Sequence, residues 1–169
     1  MQLNTEYTFR IALPSDTIQL VALGLEAYGQ FEHTLTNDNW QTMQTNLKNE
    51  NTYTALLQKA NGYVCEHSGK LIGMAFLVPK GNPTTIFEAG WAYIRMVGVA
   101  TGYEGQGIAK KLTSMCVDHA IQTNEKVIAL HTSEIMTAAR HIYEKLGFKQ
   151  QKEVGPFFGK KYWLYTLVI

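Results

Sequence analysis

The stretch MVGVATGYEGQGIAKKL, Met96 to Leu112, constrains the fold of this chain more than any other. An apolar run of strand composition ends in a loop holding Gly102, Gly105 and Gly107, and the loop opens directly into an amphipathic helix. Glycines let the backbone turn sharply and leave its N–H groups open to a ligand. The first N–H groups of the following helix lack partners inside it, and the positive end of the helix dipole falls on the same spot. Strand, glycine loop and helix start together predict an anion site suited to a phosphate or pyrophosphate.

Two common nucleotide motifs are excluded by particular residues. A Walker loop needs lysine and then Ser or Thr after its second glycine; Ile108 and Ala109 stand there instead. A dinucleotide fingerprint starting at Gly105 and Gly107 meets Lys110 at its third glycine position. It also belongs to an early strand–loop–helix–strand unit, whereas this loop lies about two-thirds along the chain.

The segment EGQGIAKKL resembles the acyl-CoA pyrophosphate loop of the GNAT superfamily of N-acetyltransferases, whose pattern is Arg/Gln-x-x-Gly-x-Gly/Ala. Gly107 and Ala109 fill the last two places, and Glu104 stands where Arg or Gln is usual. A second block, TAARHIYEKLGF from Thr137 to Phe148, resembles the later helix of the same family. A helix and the apolar strand KVIALHTS separate the two blocks, as in that family. The resemblance is sharp from about Tyr93 to Phe148 and topological elsewhere. It implies one N-acetyltransferase domain over residues 1–169, acetyl-CoA as co-substrate, no metal, and a mixed α/β fold. That fold has a central, mostly antiparallel, splayed sheet flanked by helices, with the acyl-pantetheine arm in the gap.

Bulk properties agree with one enzyme-sized domain. A chain of 169 residues, 46% hydrophobic, has the material for a full core. A net charge of +1 provides no basic stripe, so neither nucleic acid nor an acidic membrane is an expected partner. Cys65 and Cys116 are too few for a disulfide framework, and Cys116 shares a helical face with Ile108, Leu112 and Ala120, as a small core residue does. The N-terminal MQLNTEYTFR has no apolar core of signal length, and no run reaches membrane-spanning length. These features lead to the expectation of a soluble cytoplasmic protein, monomer or homodimer, with the strand-like KKYWLYTLVI available to pair across a dimer.

Periodicity and turn chemistry predict the elements. Tyr7–Leu13 reads as a strand, followed by a helix from Pro14-Ser15 with Ser15 as cap and Ile18, Val21, Ala22, Leu25 and Tyr28 on one face. A second helix follows Thr36 or Asn37, with Trp40, Met43 and Leu47 inward. Tyr63–Cys65 and Leu71–Val78 form a hairpin at Ser68-Gly69, and Trp91–Val99 is the next strand. After the glycine loop come a helix to about Thr123, a strand Lys126–Thr132 and a helix Thr137–Leu146 stopped by Gly147. Two strands, Lys149–Val154 and Lys161–Ile169, close the chain around Gly155-Pro156.

Acetyl transfer from a thioester to an amine sets three physical demands. An amine of pKa ~10.4 is neutral at pH 7 in roughly one molecule in two thousand, so a base or a desolvating pocket must help. The carbonyl oxygen needs hydrogen-bond donors, and a leaving thiolate of pKa ~8.5 gains from a proton donor. By resemblance Tyr143 occupies the acid position; by composition alone it reads as a core aromatic beside Leu146 and Phe148. The resemblance assigns Val97, Gly98 and Val99 to the pantetheine arm, where Gly98 marks either a bulge or a packing contact. Gly105, Gln106, Gly107, Ile108 and Ala109 would present N–H groups to the pyrophosphate, with Lys110 a phosphate ligand or a solvated lysine. Ser133 and Met136 stand where relatives often carry asparagines, and Ser133 keeps hydrogen-bonding capacity.

Glu104 near the helix start suits the dipole but repels a bound pyrophosphate. The general base is open among Glu88, His131 and Glu134; Tyr93 stands where relatives carry a carboxylate. The acceptor, a small-molecule or peptide amine, would lie between the first two helices and the late strands, near Tyr28, Phe31, His33 and Trp40. Glu32 and His33 offer a weak match to a cationic amine. The expected function is therefore acetyl transfer from acetyl-CoA to a primary amine by direct attack; the alternative is a non-catalytic acyl-CoA-binding or regulatory module of the same fold.

Overall fold

The computed structural model describes residues 6–169, so the first five residues of the N-terminal segment lie outside it. The elements are β1 (Thr8–Ile11), α1 (Thr17–Gly29), α2 (Asn37–Lys48), α3 (Glu50–Lys59), β2 (Asn61–His67), β3 (Lys70–Val78), β4 (Ala92–Val99), α4 (Ile108–Gln122), β5 (Val127–Ser133), α5 (Thr137–Lys145), β6 (Lys149–Phe157) and β7 (Lys160–Val168). The seven strands form one sheet in the order β1-β2-β3-β4-β5-β7-β6. Every neighbouring pair is antiparallel except β4 and β5. Those two run parallel and pair only at Ala92–Ile128 and Tyr93–Ala129, although both strands continue further. Beyond Tyr93 the sheet is open.

Close approach of backbone explains how the helices flank this sheet. A Cβ on Gly73 would lie 2.7 Å from Ile108 and 2.9 Å from Leu112, which places α4 against that face. A Cβ on Gly98 would meet Ala27 at 3.0 Å and Met74 at 3.4 Å, which places α1 against the opposite face, because Gly73 and Met74 are successive strand residues. Gly98 is therefore the contact point that lets α1 approach. The bulge lies just before it: Met96 has φ +57, and β4 gains one residue over β3 between Arg95 and Gly98. The Tyr28 hydroxyl on α1 donates to the Val97 carbonyl at 3.3 Å and fastens the bulged segment.

Several expectations need correction. The buried stripe of α1 is Leu20, Leu23, Gly24 and Ala27, while Ile18 is 78% exposed. This helix is apolar on more than one face, and its small residues decide which face docks. A Cβ on Gly24 would sit 2.0 Å from the Tyr53 hydroxyl. That tyrosine belongs to α3, a helix the sequence reading omits; Asn49 caps it by accepting from the Asn51 N–H, and Tyr53 and Leu56 face inward. Asp16, not Ser15, organises the start of α1, accepting from the Leu13 N–H at 2.8 Å. The last hairpin turns at Phe158-Gly159, both with positive φ, and Gly155-Pro156 lies inside β6. KKYWLYTLV forms β7, paired on both sides, so it is not free to extend another sheet; the edge is the polar β6.

Other expectations hold. Ser68 and Gly69 make the β2–β3 turn with φ +51 and +78, and Thr36 caps α2 by accepting from the Asn39 N–H. Trp40, Met43 and Leu47 are buried together, and Cys116 is fully buried on α4 with its thiol pushed up to about 12 by desolvation. Among the described residues no helix is long and apolar enough to cross a membrane.

A half-buried ion pair ties the first strand to the first helix. Arg10 donates through both terminal nitrogens to the two oxygens of Asp16, at 2.9 and 3.0 Å, and through Nε to Glu66 at 3.0 Å. The Arg10 bond and the Leu13 N–H hold the Asp16 carboxyl below its ordinary 3.8, against the opposing effect of burial. A lowered carboxyl pKa stabilises the fold above the ordinary value, and that stabilisation is lost as pH falls through the lowered one. Asp16→Asn is expected to cost about 1–3 kcal/mol at pH 7. Urea unfolding at several pH values should show the difference from the native protein shrinking as the pH drops below about 4.

Candidate active site

The opening between β4 and β5 continues into a cavity of about 640 Å³ that crosses the sheet from the glycine loop to the space under α1 and α2. At one end lie Gly105, Gly107, Ile108, Ala109 and Lys110. Gly102, Gly105 and Gly107 have φ of +89, +74 and +81, with nothing within 4 Å of where a Cβ would stand. The glycines thus serve backbone conformation and an open approach. Among the described residues no acceptor takes the backbone N–H groups of residues 105–110. Left-handed residues leading into a 15-residue helix make a concave set of donors with the dipole behind it, which fits an anion.

Glu104 is folded back on this loop. Its Oε2 accepts from the Gly102 N–H at 2.7 Å, so the carboxylate holds the turn while still lining the cavity. Gln106 is exposed and faces away; its Oε1 accepts from the Tyr7 hydroxyl, which ties the loop to the chain start. Tyr103 packs under the loop, with its hydroxyl 2.9 Å from His67 Nδ1.

The middle of the cavity is walled by β4 and α5. Val97, Gly98 and Val99 line it, as do Leu130 and Thr132 of β5. Tyr143 lines it from α5 and is 6% exposed. Desolvation, with smaller effects from Tyr28 and Cys116, pushes its phenol well above the ordinary tyrosine value, so it remains a donor. The helix that carries it is pinned to β7: Arg140 lies 4.4 Å over the Trp163 ring, and the Tyr165 hydroxyl donates to Glu144 at 3.0 Å. Ser133 stands apart. It is fully buried, and its hydroxyl donates to the Lys161 carbonyl at 3.1 Å, joining β5 to β7. Met136 reaches the cavity, with its sulfur 3.7 Å from the Thr132 hydroxyl.

The far end is aromatic. His131 sits 5.6 Å from the Tyr162 ring and 5.8 Å from both Phe87 and Phe157. Burial, aided by Arg95, lowers its pKa to about 4, so the imidazole is neutral at pH 7. Glu88 is exposed in the loop before β4, and Glu134 accepts weakly from the Lys161 N–H; neither lines the cavity. Tyr93 stacks on Phe87 at 4.3 Å. Tyr28 and Phe31 line this end, whereas Trp40 is buried behind it and His33 is exposed. The sequence reading missed Arg95, which lines the cavity on the α1 side. Its signal is a single cation inside an otherwise uncharged strand, AYIRMVGV.

Comparisons agree with this architecture. The chain matches the Acetyltransferase (GNAT) family over residues 27–148. It is 32% identical over 87 residues to N-acetylaspartate synthetase of Xenopus tropicalis, covering 52% of this chain and 30% of that protein. It is 36% identical over 66 residues to N-alpha-acetyltransferase 30 of Schizosaccharomyces pombe, covering 39% of this chain and 44% of that one. The matched stretches therefore span less than half the length of these relatives. The PaiA N-acetyltransferase of Thermoplasma acidophilum, solved in complex with coenzyme A, superposes with a TM-score of 0.79 at 12% identity over 97% of this chain and 99% of that one. The ribosomal-protein-S18-alanine N-acetyltransferase of Escherichia coli gives 0.72 at 16% identity over 97% and 94%. Such low identities speak to the fold. With the family match covering most of the chain, the two sequence blocks, the splayed sheet and the glycine loop have one common explanation: this chain belongs to the GNAT family of acetyltransferases.

Proposed function

We propose that this protein transfers the acetyl group of acetyl-CoA to a primary amine of a small molecule or peptide by direct attack. The observation that carries the reading is the meeting of three features in one cavity: unpaired loop N–H groups, a bulged strand edge and a buried phenol. Acetyl-CoA would supply an acetyl group activated as a thioester. Residues 105–109 would bind its pyrophosphate through backbone N–H groups, with Lys110 adding charge. The open edge of Val97–Val99 would hold the amide-bearing arm and offer a donor to the thioester oxygen.

Proton movements follow from the groups that face the cavity. The nitrogen–carbon bond forms as the carbon–sulfur bond breaks, the amine gives up a proton and sulfur gains a donor. Of the three candidate bases only His131 lines the cavity, and at about 4 its pKa is too low to take a proton from an alkylammonium. The amine therefore loses one proton to water and attacks neutral, and the second proton, shed from nitrogen as the adduct collapses, also passes to water. Tyr143, held above its ordinary value, faces a thiolate of pKa ~8.5. Across that gap a hydrogen bond to sulfur is favoured over complete proton transfer, so Tyr143 steadies the leaving group as it departs.

Tyr143→Phe is expected to lower turnover at least about tenfold, with acetyl-CoA affinity within about twofold of native. Thiol release across a panel of amines measures the first and calorimetric titration the second; unchanged turnover removes Tyr143 from the chemistry. Glu104→Gln keeps an oxygen for the Gly102 N–H and removes the charge facing the pyrophosphate. Coenzyme A binding should tighten by roughly two- to fivefold at low salt, an effect that shrinks as salt is added. For native protein, kcat/KM should rise with pH towards the amine's own pKa. The same apparent pKa is expected for His131→Gln, because the native imidazole is already neutral above about pH 5.

A further inference from the structure

We propose that the amine acceptor also carries a carboxylate, bound by Arg95: a free amino acid with an apolar side chain. This rests on the acetyltransferase reading above and names the acceptor class of the same cavity.

Arg95 lies on β4 opposite Phe76, two residues along β3 from Met74, and so faces the side of the sheet that α1 covers. The guanidinium is half-buried and lines the cavity. Among the described residues no carboxylate lies within ion-pair distance of it, and no side chain or backbone oxygen accepts a hydrogen bond from it. By contrast Arg10, at a similar depth, is met by two carboxylates. A partly desolvated guanidinium with a planar fork of donors and no protein acceptor is matched to an incoming carboxylate.

The remaining walls argue in the same direction. Glu104 is the one carboxylate on the cavity wall among the described residues, and it is tied down at the glycine-loop end. A polyamine or any dicationic acceptor would find no counter-charge at the aromatic end. His131 is neutral there, so Arg95 presents a single positive charge, suited to one carboxylate rather than a dianionic phosphate. Phe31, Met43, Leu47 and Phe158 supply an apolar wall for a side chain. The weak match of Glu32 and His33 to a cationic amine finds no support here, since neither lines the cavity.

The test compares apolar L-amino acids with their amides, which keep the amine and side chain but lose the charge. The amide's ammonium is the more acidic, so intrinsic reactivity at pH 7 favours the amide, and a preference for the acid reports binding. Calorimetric titration of the coenzyme A-saturated protein is expected to show the acid binding about 10- to 100-fold tighter, the range for a charge-assisted bidentate pair. Thiol release should show the same preference in kcat/KM. Arg95→Gln should close the gap, and Arg95→Lys, which keeps the charge without the fork, should restore part of it. Amides that bind as well as acids, a gap that survives Arg95→Gln, or no binding of either would overturn the proposal. Thiol release with amides but no acid preference sinks this inference alone. An acid preference in titration without thiol release from any amine sinks the transferase reading instead.

Discussion

The shortness of the pairing between β4 and β5 is the constraint on which the cavity depends. Parallel strands at the centre of a sheet normally satisfy each other's backbone groups along their whole length, and unpaired buried groups are costly. Here pairing stops at Tyr93 and Ala129, and the edges of both strands beyond it open into a cavity. The bulge at Met96, the approach of α1 over Gly98 and the Tyr28 bond to Val97 hold β4 away from β5. The backbone groups left unpaired along such a gap need partners, and a ligand with amide-like donors and acceptors can supply them. The pantetheine arm of an acyl-CoA has that character.

The two ends of the gap differ in the groups that set their electrostatics. At the glycine loop, unpaired N–H groups and a helix dipole favour phosphate, and the Glu104 carboxylate is spent on the Gly102 N–H. Burial keeps Tyr143 uncharged in the middle of the cavity and His131 uncharged at the aromatic end, where Arg95 is the local charge. On the proposed reading, a neutral amine would be stabilised relative to its ammonium in such surroundings, which would supply part of the roughly 4–5 kcal/mol that deprotonation costs at pH 7. No strong base is required if the pocket itself disfavours the charged amine.

The glycine loop, the strand before it and the helix carrying Tyr143 were legible in the sequence because each depends on local rules: glycine conformations, a helix start and a glycine stop at Gly147. Less legible were features set by tertiary packing. The docking face of α1 is not legible because two apolar stripes compete, and only the contacts of Gly24 with Tyr53 and of Ala27 with Gly98 choose between them. The α3 helix gives little signal because ENTYTALLQK has two polar threonines and few apolar residues, and its burial depends on Tyr53 entering the core. Gly98 drew attention to a bulge that lies instead at Met96, where nothing in the residue type announces a positive φ. Ser133 kept its hydrogen-bonding capacity but uses it on the Lys161 carbonyl, which depends on the β5–β7 register.

Amide hydrogen exchange with and without coenzyme A, read residue by residue, tests most directly the claim that the open seam is the acyl-CoA channel. Coenzyme A should slow exchange strongly at residues 97–99 and 105–109, and much less at the β6 edge or in α3. Protection confined to other elements, or tight binding that leaves both of these segments unchanged, would contradict the placement of the cofactor in the gap between β4 and β5.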